Sequence, residues 1–152
     1  MPSFSRRHPV AYSAEQMFDL VADIEKYPEF VPLCEHLTVR SRREKDGRQL
    51  VVASMGVGYR KIRETFTTQV LLNRGELKID VKYLDGPFKW LDNRWRFEPT
   101  GPASCDVHFF IDYEFSSRML AVVMGAMFDA AFRRFTAAFE ERARVVYGLP
   151  TA

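Results

Sequence analysis

The sequence predicts an α+β helix-grip fold, in which a curved antiparallel sheet of about seven strands wraps around a long C-terminal helix. Apolar residues repeat at helical spacing only near the start and at the end of the chain, and between them they alternate with period 2 for some eighty residues. The element order is therefore β, α, α, six β and a long α, which for one sheet means packing on the last helix. With 152 residues and no visible linker or repeat, the chain is predicted to form one domain over residues 1–152.

The composition of the chain excludes several classes of function. The net charge is only +2, from 22 basic and 20 acidic residues, which is too small for polyanion binding by the whole molecule. The two cysteines and three histidines lack metal-ligand spacing, so neither a zinc site nor a disulfide framework is predicted. No signal-peptide core or membrane-length apolar run is present, which predicts a bacterial cytoplasmic protein, at most peripheral at the inner membrane.

The first elements are a strand and two short helices. Phe4–Val10 alternates like a strand, and Ser13 with Gln16 three residues later forms a capping box that predicts the start of an amphipathic helix. Pro28 and Pro32 both exclude an ordinary helix interior, so a single tight helical turn is predicted between them.

The pattern in the middle of the chain predicts a meander of six antiparallel strands. Turn signatures separate successive alternating segments, and they lie at Lys45–Gly47, Asn73–Glu76, Asp85–Pro87 and Pro99–Ser104. The last strand carries a long inward row of Cys105, Val107, Phe109, Ile111 and Tyr113.

The last helix is predicted to start after Ser116 or Ser117 and to end at Gly148. Its segment from Met119 to Phe128 contains no charged residue on any side, more apolar surface than one sheet face can cover. Three interpretations of this surplus stay open. The helix start is core beneath the "YPEFVP" segment, or it lines an apolar tunnel between sheet and helix, or it meets another subunit or a membrane surface.

Polar residues interrupt two inward rows. Asn93 interrupts the row of Leu91 and Trp95, and Arg60 and Glu64 interrupt the row that continues through Phe66 and Val70. Asn93 either contacts a ligand or bonds a neighbouring backbone group, and Arg60 with Glu64 is more typical of a structural ion pair.

No catalytic constellation is recognisable. Cys34 has no histidine at a partner position, and Asp112 and Glu114 share the outward face of their strand. The sequence therefore predicts no enzyme, no catalytic residues, no metal and no covalent cofactor.

Four segments carry a family resemblance that covers Phe4 to Gly148. They are "YPEFVPLCEHLTV" at Tyr27, "DGPFKWLDNRWRFEP" at Asp85, "VHFFIDYEFSSRML" at Val107 and "FDAAFRRFTAAFEERARVVYG" at Phe128. The chain resembles the coenzyme Q-binding protein family of START-like, polyketide cyclase-like domains, which includes bacterial ribosome association toxin proteins.

This resemblance implies a helix-grip domain whose apolar tunnel holds a polyprenyl quinone such as ubiquinone. The implied role is that of a lipid chaperone that supports respiratory electron transport and visits a membrane surface to collect its ligand. The predicted ligand-binding residues are Tyr27, Phe30, Phe66, Val70, Asn93, Trp95, Phe109, Ile111, Val123, Met124, Met127 and Phe128. A homodimer through the apolar start of the helix is an alternative use of that surface.

The same resemblance brings a second hypothesis, a toxin-like protein that binds a ribosomal subunit and blocks subunit association. A basic patch is predicted near a hairpin tip, with Arg6 and Arg7 as possible additions, and it consists of Arg40, Arg42, Arg43, Lys45, Lys61 and Arg63. Acidic neighbours interrupt this patch, which favours a solvated basic face over rRNA binding. If the patch does bind a partner, anionic lipid headgroups fit it as well as rRNA phosphates do.

Overall fold

Strand pairing along the chain produces a seven-stranded antiparallel sheet. The computed structural model describes residues 3–59 and 61–150. Its strands are β1 (Ser3–Val10), β2 (Cys34–Lys45), β3 (Arg48–Tyr59), β4 (Ile62–Asn73), β5 (Lys78–Asp85), β6 (Phe88–Gly101) and β7 (Ser104–Phe115). They lie in the order β1-β7-β6-β5-β4-β3-β2, so β2 to β7 form the predicted meander and β1 pairs with its far end.

The helices occupy the predicted positions, with one correction. Helix α1 (Ala14–Ala22) begins with the reciprocal capping box of Ser13 and Gln16. The short helix that follows is a 3₁₀ helix over Ile24–Glu29 and includes Pro28, so the prediction of a turn between the two prolines was wrong. A proline is tolerated there because its fixed φ lies in the helical range and so short a helix has few internal hydrogen bonds to lose.

Helix α2 (Arg118–Tyr147) closes the fold. The hydroxyl of Ser117 accepts a hydrogen bond from the Leu120 amide at 3.1 Å, and Gly148 ends the helix with a φ of 82°. A positive φ favours glycine at this position, since it has no Cβ to collide with the preceding carbonyl.

Aromatic contacts fasten α2 to the concave face of the sheet. Ring centroids of Phe109 and Phe135 are 5.7 Å apart, and those of Tyr113 and Phe132 are 5.1 Å apart. The predicted inward row of β7 is buried throughout. A curved antiparallel sheet gripping its C-terminal helix is therefore the observed architecture, and the predicted fold class is confirmed.

Candidate functional site

An apolar cavity lies between the concave face of the sheet and α2. One inward row crosses four strands, because Val70 pairs with Val81, Val81 with Asn93, and Asn93 with Ile111. Directly opposed residues project from the same face of a sheet, so all four line the cavity. The helix completes the wall with Phe128, Ala131, Phe132, Phe135 and Phe139.

The 3₁₀ helix and the turn that follows it, residues 24–33, close one side of the cavity, and we call them the 3₁₀ segment. Ile24, Tyr27, Pro32 and Leu33 all lie in the wall. Tyr27 is fixed from two directions, because its hydroxyl donates a hydrogen bond to the Val21 carbonyl and its ring packs edge-on against Phe139 with centroids 5.4 Å apart. This segment is thereby anchored to both α1 and α2.

The cavity is small and almost entirely apolar. Its volume is about 90 Å³, whereas sites for drug-sized ligands measure about 300–1,000 Å³. All the lining residues except Tyr27, Thr68 and Asn93 are apolar. A ligand that enters this space must offer apolar surface, and a long one must widen it.

The polar groups of the wall are partly engaged. Asn93 Nδ2 donates to the Phe110 carbonyl at 2.9 Å, and Asn93 Oδ1 accepts from Trp95 Nε1 at 3.2 Å. One further N–H and one further lone pair of this amide stay available. Burial raises the pKa of Tyr27, so its hydroxyl is neutral at physiological pH.

Seven of the predicted ligand-binding residues lie in this wall, and they are Tyr27, Phe66, Val70, Asn93, Trp95, Ile111 and Phe128. Their role in binding stays a prediction. Sequence reasoning did not single out Thr68 or the β3 residues Ala53, Met55 and Val57, although their strand alternation is in phase with the residues that it did select.

Five other predicted residues do not line the cavity. Phe30 packs behind the wall, edge-on to Phe139 at 5.0 Å, and Phe109 and Met124 are buried in solid core. Met127 is half-buried against the core. Val123 is 51% exposed, because α2 turns Met124 and Phe128 inward and leaves Val123 on its solvent side.

Part of the apolar surplus at the start of α2 is surface rather than core or tunnel, whereas Leu120 and Met127 are half-buried against the core. Met119 and Val122 are 75% and 79% exposed, next to Val123 on the same part of the helix. The "YPEFVP" segment therefore does not cover these residues, and of the three interpretations only an external surface describes them.

Two polar residues were predicted to interrupt the inward row of β4, Arg60 and Glu64. Arg60 lies outside the described residues. Glu64 is half-buried and is not among the residues that line the cavity.

The predicted basic patch does not form one surface. Arg43 pairs with Leu50, whereas Arg63 pairs with Gly58, eight positions further along β3. At about 3.4 Å per residue, this separation is about 27 Å. The residues near the β2–β3 turn and those near the β3–β4 turn thus lie at opposite ends of β3, because the two hairpin tips point in opposite directions.

Further contacts divide the patch. Arg42 turns to the 3₁₀ helix, where it bonds Glu25 at 3.0 Å, and Arg40 bonds the hydroxyl of Ser54 on β3. Arg6 and Arg7 lie on β1, at the other edge of the sheet from β2. The physical cause is the strand order, which periodicity alone does not give.

The two cysteine side chains are buried and unreactive in character. Burial raises the pKa of Cys34 to about 11 and that of Cys105 to about 12. Both are free thiols, and the Cys34 sulfur donates to the His36 carbonyl at 3.7 Å. Thiols with raised pKa values are protonated near neutral pH and are poor nucleophiles.

Comparison with known proteins shows which family the chain belongs to. The sequence model of the family described as polyketide cyclase / dehydrase and lipid transport matches residues 10–140. The chain belongs to this family. The predicted START-like relationship is thereby confirmed.

Relatives in the family carry two kinds of name. The chain is 40% identical over 148 residues to a ribosome association toxin of Vibrio cholerae, covering 97% of this chain and 99% of that protein. It is 30% identical over 149 residues to the mitochondrial coenzyme Q-binding protein COQ10 homolog B of Xenopus laevis, covering 95% of this chain and 59% of that protein. Family membership therefore leaves two directions for function.

A solved structure supports the fold directly. The solution structure of an 18 kDa protein from Caulobacter crescentus matches with a TM-score of 0.78 and 34% identity, over 98% of this chain and 100% of that chain. Within residues 3–59 and 61–150, none of the helices combines the length and the apolar character that crossing a membrane requires.

Proposed function

We propose that this protein binds a polyprenyl quinone in the apolar cavity and carries it without covalent chemistry, as a lipid chaperone that supports respiratory electron transport. The observation that carries the proposal is the cavity wall, which is apolar except for Tyr27, Thr68 and Asn93. An isoprenoid tail presents only apolar surface, and a quinone head needs few polar contacts. The name of the Xenopus relative, a coenzyme Q-binding protein, points in the same direction.

The energetics allow useful affinity. Burial gains about 0.8 kcal/mol per CH₂, so about three isoprene units contribute ~12 kcal/mol. Association costs of about 4 kcal/mol or more leave a free energy near the −8 kcal/mol of micromolar binding. A tail of this length exceeds the cavity volume of about 90 Å³, so the 3₁₀ segment or α2 moves outward when it enters.

The two polar side chains that the sheet contributes to the cavity wall are the proposed contacts for the quinone head. Thr68 lies on β4 and Asn93 lies two strands away on β6, and both line the cavity. Asn93 retains one donor and one acceptor beyond its contacts with Phe110 and Trp95. A quinone carbonyl can accept from either side chain.

A carrier of this kind must collect its ligand at a membrane surface. The exposed residues Met119, Val122 and Val123 start the helix whose next turns form the cavity wall. We propose that these residues enter the interfacial region of the bilayer, with Arg118 beside them for anionic headgroups. Flotation with phosphatidylglycerol vesicles tests this, and Val122→Ser should weaken the binding to the vesicles. If Val122→Ser instead disrupts a dimer and leaves vesicle binding unchanged, the surface contacts a second copy of the chain.

The binding experiment uses two adjacent alanines. Ala131 lines the cavity and Ala130 is exposed on the same helix, so Ala131→Phe fills the cavity whereas Ala130→Phe is its matched control. Quinones quench indole fluorescence, and a Trp90→Phe background leaves Trp95 in the wall as the single reporter. Titration with a short-tailed ubiquinone should quench Trp95 in the background protein and in Ala130→Phe.

Quenching should be lost in Ala131→Phe, and Ala131→Leu serves as a smaller filling variant in case phenylalanine overpacks the site. Equal quenching in filled and control variants, each folded by circular dichroism, would reject the cavity as the binding site.

Ribosome association is the second candidate function. The observation in its favour is that the 40% identical Vibrio relative, matched over nearly its whole length, is named a ribosome association toxin. Under this hypothesis the purified protein co-sediments with a ribosomal subunit and prevents subunits from joining. Absence of the protein from subunit fractions at low salt would reject it.

A further inference from the structure

We propose that the outer face of the sheet binds single-stranded RNA through a row of basic side chains that crosses four strands. Arg7 of β1 pairs with His108 of β7, His108 pairs with Arg96 of β6, and Arg96 pairs with Lys78 of β5. We call these four residues the outer basic row. Neighbouring strands lie about 4.8 Å apart, so the row is about 14 Å long.

The row points away from the cavity and from α2. Its neighbours along the strands, Trp95, Phe97, Val107 and Phe109, are buried on the concave side. Because side chains alternate along a strand, the row itself projects from the opposite face. Arg7 is 69% and Lys78 is 42% exposed at the side chain, so a partner can reach their charges.

An aromatic ring lies beside the row. The next set of paired residues includes Phe110 of β7 opposite Arg94 of β6, and the Arg94 guanidinium is 5.7 Å from the centroid of the Phe110 ring. Planar aromatic and guanidinium groups are the surfaces on which unpaired bases stack.

The outer basic row and the neighbouring pair of Arg94 and Phe110 line an open depression of about 580 Å³. The charged side chains that it receives from the outer face are Arg7, Lys78, Arg94 and Arg96, with Asp80 of opposite sign. Arg6 projects to the concave side instead, where it donates to the Arg133 carbonyl of α2 at 3.1 Å. Cations beside an aromatic floor match the phosphates and bases of a nucleic acid strand.

Present ion pairs do not block the surface. Arg94 contacts Asp92 at 2.8 Å, Lys78 contacts Glu76 at 3.1 Å, and Arg7 is 3.9 Å from Asp106. His108, the fourth member of the row, is 3.5 Å from Glu98. The pairs of Arg94 and Lys78 are exposed on both sides, and such pairs contribute about 0–1 kcal/mol each, so these cations can exchange carboxylates for phosphates at little cost.

The surroundings favour a narrow strand over a flat anionic membrane. Glu98 and Asp106 border the outer basic row on one side. On the other side, Asp92 and Asp112 lie beyond the pair of Arg94 and Phe110. A bilayer would press against these carboxylates, whereas a single strand can follow the row between them. The exposed apolar part of α2 also lies on the other side of the sheet, so one flat membrane cannot contact both surfaces.

The test measures fluorescence anisotropy of a labelled 12-nucleotide oligouridylate with the full chain over a series of KCl concentrations. Arg7→Gln with Arg96→Gln should weaken binding about tenfold at 50 mM KCl. It should also reduce the slope of log K against log salt by about 1.4, since each phosphate contact with a single strand contributes about 0.7. Phe110→Ala should weaken binding about tenfold through lost stacking, with the slope unchanged.

The matched control is Arg43→Gln with Lys45→Gln, which removes the same charge from the β2–β3 hairpin, and it should bind as the unchanged protein does. All variants should keep their melting temperature and their quinone binding. The proposal is overturned if the unchanged protein shows no salt-dependent binding to the oligonucleotide, or if the control pair loses as much affinity. It is also overturned if Arg7→Gln with Arg96→Gln abolishes binding to phosphatidylglycerol vesicles while RNA binding is unaffected.

Discussion

Asn93 holds the indole of Trp95 in the cavity wall, because its side-chain oxygen accepts a hydrogen bond from Trp95 Nε1 at 3.2 Å. We predict that Asn93→Leu destabilises the protein by about 1–3 kcal/mol, since a buried N–H is left without a partner. Urea denaturation of the Trp90→Phe background with and without Asn93→Leu measures this loss, and a change in Trp95 emission should accompany it. An unchanged midpoint and spectrum would show that the hydrogen bond does not fix the indole.

Phe139 joins the 3₁₀ segment, the sheet and α2. Its ring centroid is 5.0 Å from that of Phe30, 5.4 Å from Tyr27 and 5.1 Å from Trp95. We predict that Phe139→Ala lowers the free energy of unfolding by about 3–5 kcal/mol, as for other buried aromatics truncated to alanine. The exposed Val146 on the same helix provides the control, and Val146→Ala should change stability by no more than about 0.5 kcal/mol in the same urea titration. A loss below about 1 kcal/mol for Phe139→Ala would contradict its role as a junction.

Two glycines should respond in opposite directions to alanine. A Cβ at Gly125, inside α2, would meet nothing within 4 Å, so Gly125→Ala should stabilise the protein by about 1 kcal/mol through helix propensity. At Gly86 the φ is 145° and a Cβ would lie 2.4 Å from the Cβ of Phe66, so Gly86→Ala should be strongly destabilising. Thermal melts compare the two, and a lower melting temperature for Gly125→Ala would mean that α2 is not regular at this point.

The ion pair between Glu29 and Arg142 should make the 3₁₀ segment sensitive to acid. Arg142 donates to Glu29 at 2.8 Å and thereby lowers the pKa of Glu29 from its ordinary value of 4.5. A lowered pKa in the folded state adds stability above the unfolded pKa, and this stability is lost as the pH falls through the folded pKa. We predict that Glu29→Gln lowers the melting temperature slightly at pH 7 and that the difference disappears in strong acid.

The control for this pH series is Glu44→Gln, an exposed carboxylate of the β2–β3 hairpin. Its melting temperature should follow that of the unchanged protein at every pH. A difference between Glu29→Gln and the unchanged protein that is as large in strong acid as at pH 7 would assign the effect to lost packing instead of lost charge.

Local patterns were sufficient for the elements other than the short 3₁₀ helix, which begins earlier than its prolines suggested, but not for the relations between elements. The capping box at Ser13, the period-2 rows and the end of α2 at Gly148 depend on neighbours in the sequence, so they could be predicted residue by residue. Trp95, Phe128 and Ile111 were placed correctly in the cavity wall because each follows the phase of its own strand or helix.

Val123 was misplaced because a helix segment that is apolar all round does not show which side is covered. The basic patch failed for a related reason. Arg43 and Arg63 are twenty positions apart in a region of hairpins, and only the pairing register shows that β3 separates them. The outer basic row is the converse case, because four residues that are remote in sequence become neighbours only through strand order.

The most direct test of quinone binding is native mass spectrometry of the protein purified from a quinone-producing host, together with organic extraction of the same sample. The account predicts a complex whose added mass equals one prenyl quinone in the unchanged protein and in Ala130→Phe, and its absence in Ala131→Phe. An unliganded mass for the unchanged protein, or the same quinone occupancy in folded Ala131→Phe, would contradict it.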